Sequence, residues 1–279
     1  MERTPSAFLT STLLSQTRRI AAVWLLATWT MLIVGVLSGA TAPVDHSPWD
    51  RMLKKTVTED GWVDYQSIQS QWQDTLAGYL QTLATTEVQD LSSQSAKKAF
   101  WINAYNAVTI QILVDEGLPD TVPHAVFWGK NIFRQKEYRI AGKVRSLDNI
   151  EHDILRKRYP DPRVHAVLVC GASSCPRLRP EAYTADKLDR QMTEEAQRWV
   201  REGRNKNGRR KNRLDQAERT YYVSAIFDWF EKDFYGGGQD GVLKFLKKYG
   251  SSENRQFLQS HDVNIEHIDY DWSLNSQHP

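Results

Sequence analysis

The sequence predicts a mixed α/β fold, a helix-rich single domain with a small central sheet behind an N-terminal export or anchor helix. Several long segments repeat apolar residues at helical spacing, and one short segment is apolar on both faces, as a buried strand would be. One uncharged apolar run lies near the N-terminus. A hydrophobic content of 41% is ordinary for a globular chain, so the core needs no disulfide framework.

The N-terminal segment predicts export. The uncharged run Ile20–Leu37 follows Arg18 and Arg19 and reaches the length that can span a bilayer. We expect the domain to lie in the periplasm, or at the inner membrane facing the periplasm if the segment is not cleaved, and cleavage stays open. The chain then divides into a signal peptide or signal anchor (1–42), a linker (43–50) and a single globular domain (51–275).

Charge gives no indication of a nucleic-acid partner. The net charge is +2, and the residues before the linker, with three arginines and one glutamate, account for it. The exported part is therefore neutral. A basic stretch at 204–213 is typical of a solvated loop, with an anionic surface as the alternative, and it lacks the interleaved aromatic residues that bind single strands.

The segment from Ser95 to Gly117 predicts a helix, capped by the serine and ended by the glycine. Its apolar residues cover most of the circumference, which is typical of a buried helix. Asn103 and Asn106 lie within it, and their amides must find partners. They either tie neighbouring loops by hydrogen bonds or form the polar wall of a pocket.

The next elements follow from the same patterns. Residues 127–144 have hairpin character, and Ser146 caps a helix that ends before Pro160. Val164–Val169 is short and apolar on both faces and predicts a buried strand. An amphipathic helix over 183–203 follows.

Cys170 is the principal candidate for chemistry, because it stands where the predicted strand ends and Gly171 permits a turn. A thiol reacts as thiolate and needs a basic or cationic neighbour. His152, on the preceding helix, is the expected partner, and Glu151 could orient its ring. The N–H groups that follow the glycine, from Ala172 and Ser173, could bind an oxyanion.

Other interpretations of the same residues stay open. Cys170 and Cys175, the two cysteines of the chain, could form a small disulfide loop after export. Zinc binding by them with His152 and His165 lacks paired ligand spacing, so no metal or cofactor is expected. The sequence does not decide between a disulfide and a free, reactive thiol.

Six blocks of the sequence carry a resemblance to a known family: GWVDY, KKAFWINAYNAVTI, SLDNIEHDILR, DPRVHAVLVCGASSCPRLRPEAYTADKLD, IFDWFEKDF and YDWSLN. Together they resemble the bacterial envelope branch of the domain of unknown function 547 family. The resemblance implies an α/β domain in bacterial envelope proteins but no assigned reaction. It also implies that Glu151, His152, Cys170 and Gly171 match positions kept in plant relatives, which tend to have serine at Cys175.

We therefore expect a thiol-dependent enzyme of acyl-transfer or peptide-bond chemistry, acting on an unknown small molecule or peptide. Its site would contain Cys170 as nucleophile, His152 as base, Glu151 as orienting group, and Asn103 or Asn106 as oxyanion donor or polar wall. The alternative is a non-catalytic binding module with a polar pocket. A lesser alternative is thiol–disulfide exchange through Cys170 and Cys175.

Overall fold

The computed structural model describes residues 43–123, 131–202 and 212–277. The apolar run Ile20–Leu37 and most of the basic stretch 204–213 lie outside the described residues. These described residues belong to one compact unit. No helix in the described part of the chain has both the length and the apolar character that a membrane crossing requires.

The first half of the domain is helical. Helices α1 (Ser47–Thr56), α2 (Tyr65–Ser67), a π-helical turn (Ile68–Trp72) and α3 (Gln73–Thr85) lead to the long central helix α4 (Gln94–Asp115). A short helix α5 (Ile132–Gln135) precedes the hairpin β1 (Glu137–Ile140) and β2 (Lys143–Ser146). A π-helical segment (Asn149–Leu155) and α6 (Arg156–Arg158) follow.

The second half combines helices with a three-stranded sheet. Its elements are a 3₁₀ turn (Pro162–Ala166), α7 (Leu188–Glu202), β3 (Arg213–Asp215), β4 (Thr220–Ser224), α8 (Ile226–Trp229), a 3₁₀ turn (Glu231–Asp233), α9 (Gly238–Tyr249), α10 (Ser252–Ser260) and β5 (Asn264–Ile268). Strand β4 pairs antiparallel with β3 and parallel with β5. The predicted mixture of helix and sheet is confirmed, but the strands form two small sheets instead of one central sheet.

Helix α4 is buried along its middle, as its apolar circumference predicts. Every residue from Ala99 to Val114 is buried. The helix begins two residues earlier than expected, because Ser93 and not Ser95 accepts the capping hydrogen bond from the N–H of Ala96. Gly117, with φ of +77°, ends it as expected.

Two other expectations are wrong. The stretch 43–50 is not a linker throughout, because α1 begins at Ser47 and buries Trp49 in the core. Val164–Val169 is not a strand, because Asp161 caps a 3₁₀ turn that takes up its first half. Its second half is irregular, and the Asn106 side chain binds its backbone where a neighbouring strand would do so.

The C-terminal segment closes the fold around the predicted thiol loop. Asn275 donates its N–H to Gly171 O (2.8 Å), and Ser173 donates its N–H to Ser273 O (2.7 Å). The Asn275 side chain also accepts a hydrogen bond from the Tyr65 hydroxyl (2.8 Å). The loop that carries the cysteines is therefore held between the N-terminal helices and the end of the chain.

Two clusters of buried apolar residues make up the core. The first surrounds α4 and includes Leu168 and Cys175. The second is aromatic, with the stacked pair Trp199 and Phe227 near its centre. Tyr270 packs against both clusters, so it marks the boundary where they meet.

Candidate functional site

A cavity of about 200 Å³ lies at this boundary. Its walls come from both core clusters, including Leu168 from the first and Phe230 from the second. Its polar lining contains residues from three separate stretches of sequence: Arg134, Asp148, Glu151, His152, Cys170 and Cys175. Three of the predicted site residues, Glu151, His152 and Cys170, are therefore brought to one cavity.

Cys170 is held at the cavity by a turn that requires glycine. Gly171 has φ of +84°, and a Cβ at this position would collide with the Leu113 side chain of α4. Cys170 is half-buried, whereas Cys175 is 3% exposed. Both are free thiols, and the N–H of Cys170 donates to Cys175 Sγ (2.9 Å).

The Cys170 sulfur is surrounded by hydrogen-bond donors. The Tyr270 hydroxyl lies 3.3 Å from Sγ. Burial raises the pKa of this thiol, but hydrogen bonds from Cys175, from Tyr270 and from the backbone of Ala172 lower it by more, so the pKa of Cys170 lies below its ordinary value. The negative charge of Glu151 opposes this shift. A thiolate at Cys170 is stabilised mainly by local hydrogen bonds.

The His152 ring is bound within its own helical segment. Nδ1 lies 2.6 Å from Nη1 of Arg156, and Nε2 lies 3.3 Å from Oδ1 of Asp148. A guanidinium can only donate, so Nδ1 is the acceptor and the proton of the neutral ring is on Nε2. The basic lone pair of the ring is therefore engaged by Arg156. His152 faces the same cavity as Cys170. The sequence predicted it to be the base of the thiol, but its ring is not arranged for that role.

Arg156 is fixed in turn by a carboxylate in the second half of the chain. Asp233 accepts hydrogen bonds from Arg156 Nη2 (3.1 Å) and from His165 Nε2 (2.7 Å). Burial raises the pKa of Asp233, but the hydrogen bonds from His165 and Arg156 lower it well below its usual range. Asp233 therefore holds Arg156 in position, and Arg156 in turn orients the His152 ring.

Glu151 does not orient His152. Its carboxylate accepts a hydrogen bond from the Tyr105 hydroxyl of α4 (3.1 Å) and lines the cavity beside the imidazole. Burial and then the charge of Glu151 raise the pKa of Tyr105 well above its ordinary value, so the phenol stays protonated. Asp148, and not Glu151, is the carboxylate that faces the ring.

The two asparagines of α4 do not line the cavity. The Asn106 amide donates to Val167 O (3.0 Å) and accepts from the N–H of Val169 (2.9 Å). Asn103 makes the same pair of bonds with the backbone of Tyr183. Both amides therefore hold loops in place, and neither is an oxyanion donor.

The expected oxyanion donors are also engaged. The Ser173 N–H binds Ser273 O (2.7 Å). The Ala172 N–H is directed at the Cys170 sulfur and lowers its pKa. The backbone after Gly171 therefore stabilises the sulfur and the loop, and leaves no preformed pair of N–H groups at these two positions for a substrate oxygen.

Aromatic side chains that the sequence analysis did not single out form the rest of the cavity wall. The Tyr270 ring lies 4.6 Å from that of Trp272 and 4.9 Å from that of Trp229, between centroids. Trp229 and Trp272 stack at 5.8 Å with planes 16° apart. The sequence contained a signal for these aromatic residues, because they lie in the blocks IFDWFEKDF and YDWSLN that carry the family resemblance.

Metal ligands do not converge at the cavity. Within residues 43–123, 131–202 and 212–277, no three His, Cys, Asp or Glu side chains are grouped as metal ligands would be. The cavity places the Cys170 thiol, whose pKa is lowered, beside aromatic and acidic side chains.

Comparison with known proteins gives one match. No curated protein and no solved structure matches the chain. The sequence profile of the family described as "Protein of unknown function, DUF547" matches residues 88–200, a segment that includes Tyr105, Glu151, His152 and Cys170. This match supports the assignment of the chain to the DUF547 family.

Proposed function

We propose that the protein is a thiol-dependent acyl-transfer enzyme with Cys170 as its nucleophile. The observation that carries the proposal is the half-buried Cys170 sulfur, which lines a cavity and has the Tyr270 hydroxyl within hydrogen-bond distance. Nucleophilic cysteines require a lowered pKa and access to substrate, and Cys170 has both.

The proposed reaction needs no group beyond water. The Cys170 thiolate attacks an acyl carbon, a sulfur–carbon bond forms, and the bond to the leaving group breaks. The leaving group takes a proton from water, which leaves a hydroxide. A second water then hydrolyses the thioester, which releases the carboxylic acid and restores the thiolate, and the proton freed in this step neutralises the hydroxide. His152 contributes as base in the second step only if the hydrogen bond between its Nδ1 and Arg156 breaks.

Acetylation by p-nitrophenyl acetate tests the nucleophile. We expect one acetyl group on the Cys170 peptide in mass spectrometry of the purified full-length protein. Cys170→Ser abolishes it, and Cys175→Ser is the matched control because it removes the other thiol and keeps a hydroxyl donor. Alkylation by iodoacetamide at pH 7 is expected to be faster at Cys170 than at N-acetylcysteine, because a lowered pKa gives Cys170 the larger thiolate fraction. Equal rates together with no acetylation would refute the proposal.

The role of His152 is tested with the same alkylation assay. Because the ring is bonded to Arg156 and Asp148, we expect His152→Gln to change the rate at Cys170 by less than about twofold. A tenfold decrease would show that the imidazole does activate the thiol, through a rotation that breaks the Arg156 bond.

A non-catalytic binding module is the second candidate. It is favoured by the aromatic wall, where Trp229 is 48% exposed although it is large and apolar. A ligand held there without turnover would leave Cys170 unacylated by any acyl donor. Absence of acetylation combined with ligand-dependent quenching of tryptophan fluorescence would favour this function over the enzyme.

We further propose that the domain works outside the cytoplasm. The support is the apolar run Ile20–Leu37 behind Arg18 and Arg19. In intact cells, a membrane-impermeant maleimide is expected to label Cys170 of the full-length chain after the outer membrane alone is permeabilised. Labelling that requires lysis of the inner membrane would contradict this location.

A further inference from the structure

The walls of the Cys170 cavity combine aromatic rings with an excess of negative charge. Of the residues that the structure describes, six with aromatic side chains line it: Tyr105, Phe133, Trp229, Phe230, Tyr270 and Trp272. Among its described lining residues, two carboxylates, Asp148 and Glu151, face one guanidinium, Arg134. Rings and carboxylates together are the groups that bind organic cations in proteins.

Two arginines near the cavity, Arg134 and Arg156, are paired with carboxylates of the protein. Arg134 donates to the Asp148 carboxylate (3.2 Å), and Arg156 is paired with Asp233 outside the lining. Glu151 differs, because its hydrogen-bond donor is the neutral Tyr105 hydroxyl. In the part of the chain that the structure describes, Glu151 forms no ion pair. Among the described residues, the carboxylate charge of Glu151 is therefore left without a counter-ion.

The aromatic rings already accept one cation from the protein itself. The Arg156 guanidinium lies over the Phe230 ring, 4.8 Å from its centroid. Trp229 lines the same cavity, is 48% exposed and stacks on Trp272. A ligand that places a positive group against the Trp229 ring would also approach the Glu151 carboxylate, because the cavity is small.

We propose that the Cys170 cavity recognises a small organic ammonium group, carried by the acyl donor or acceptor of the reaction. The part of this inference that concerns the reaction rests on the proposed function, and the part that concerns binding of the ammonium group does not. A cation over desolvated aromatic rings is favoured, and a nearby carboxylate adds a direct Coulomb attraction. A thiolate at Cys170 would add a further negative charge.

Choline and its uncharged isostere 3,3-dimethyl-1-butanol are the probes. They have nearly the same shape, so a difference in Kd reports the charge. In calorimetric titration of the full-length protein at pH 7.5, we expect choline to bind at least about tenfold more tightly than the alcohol. Equal Kd values, or no detectable binding of either probe, would overturn the inference.

Variants locate the recognition. Glu151→Gln is expected to weaken choline binding about tenfold and leave alcohol binding unchanged. Asp153→Asn is the matched control, because Asp153 lies in the same helical segment, is exposed and does not line the cavity. If Asp153→Asn weakens choline binding as much as Glu151→Gln does, the charge effect is general and the assignment to Glu151 is wrong.

Cys170→Ser separates the two proposals. It is expected to remove acetylation and keep the preference for choline over the alcohol. Selective choline binding without thiol reactivity would overturn the enzyme and leave the cation site standing. Rapid acetylation with equal binding of the two probes would overturn the cation site alone.

Discussion

Tyr270 is expected to control the reactivity of Cys170, although the two residues are far apart in sequence. Its hydroxyl lies 3.3 Å from Sγ and donates to the sulfur when the thiol ionises. Tyr270→Phe removes this donor and keeps the ring, which packs against both core clusters. The substitution therefore changes the stability of the thiolate with little change in shape.

The size of the effect follows from the hydrogen bond that is lost. A hydrogen bond to a charged group contributes about 1.5–3 kcal/mol, and the bond to sulfur is long, so we use the lower limit. One pKa unit corresponds to about 1.4 kcal/mol. The pKa of Cys170 should rise by about one unit, because the donor stabilises the charged form and its loss favours the neutral thiol. Below the pKa, the thiolate fraction then falls about tenfold.

The assay is the pH dependence of alkylation at the Cys170 peptide, followed by mass spectrometry between pH 5 and pH 10. The midpoint should move to higher pH by about one unit in Tyr270→Phe, and the rate at high pH should be unchanged. Tyr222→Phe is the matched control, because it removes a hydroxyl bonded to Glu218 on the surface. An unchanged midpoint in Tyr270→Phe would refute the view that this hydroxyl stabilises the thiolate.

Three further substitutions test how the loop is held. Gly171→Ala should lower the free energy of unfolding by about 2–4 kcal/mol in urea titration, because it adds a collision with Leu113 to the strain of a positive φ. Gly142→Ala, which has open space around a φ of +71°, should cost about 1 kcal/mol, and equal losses would contradict the collision. Asn106→Ala should cost about 2–5 kcal/mol, since a buried N–H and C=O of the segment before the thiol lose their partners; a loss below 1 kcal/mol would show that the segment re-forms these bonds. Burial raises the pKa of Asp161, but hydrogen bonds and charges from Arg163 and Lys98 lower this pKa to about 2. The carboxylate therefore stabilises the fold at pH values above its ordinary pKa of 3.8, and this stabilisation is lost as pH falls through about 2. Asp161→Asn should lose about 2 kcal/mol at pH 7 and show a flatter stability profile between pH 5 and pH 2, and an unchanged profile would contradict the role of the carboxylate.

The sequence by itself determined the local elements and the candidate residues. The apolar circumference of α4 predicts its burial, because a helix with no polar face has no stable position in water. Gly171 predicts a turn at the thiol, and the turn is present with φ of +84°. Glu151, His152 and Cys170 were named from the sequence, and all three line one cavity.

Only the tertiary structure decided what these residues contact. Val164–Val169 has the composition of a strand, but the Asn106 side chain from α4 satisfies its backbone, and no local pattern reports a partner so distant in sequence. The same holds for Tyr270 at the Cys170 sulfur and for Asp233, which binds the Arg156 side chain on the His152 ring. Periodicity and turn signals arise from neighbouring residues, whereas the hydrogen bonds at the thiol depend on how the two core clusters pack together, so only the tertiary structure shows them.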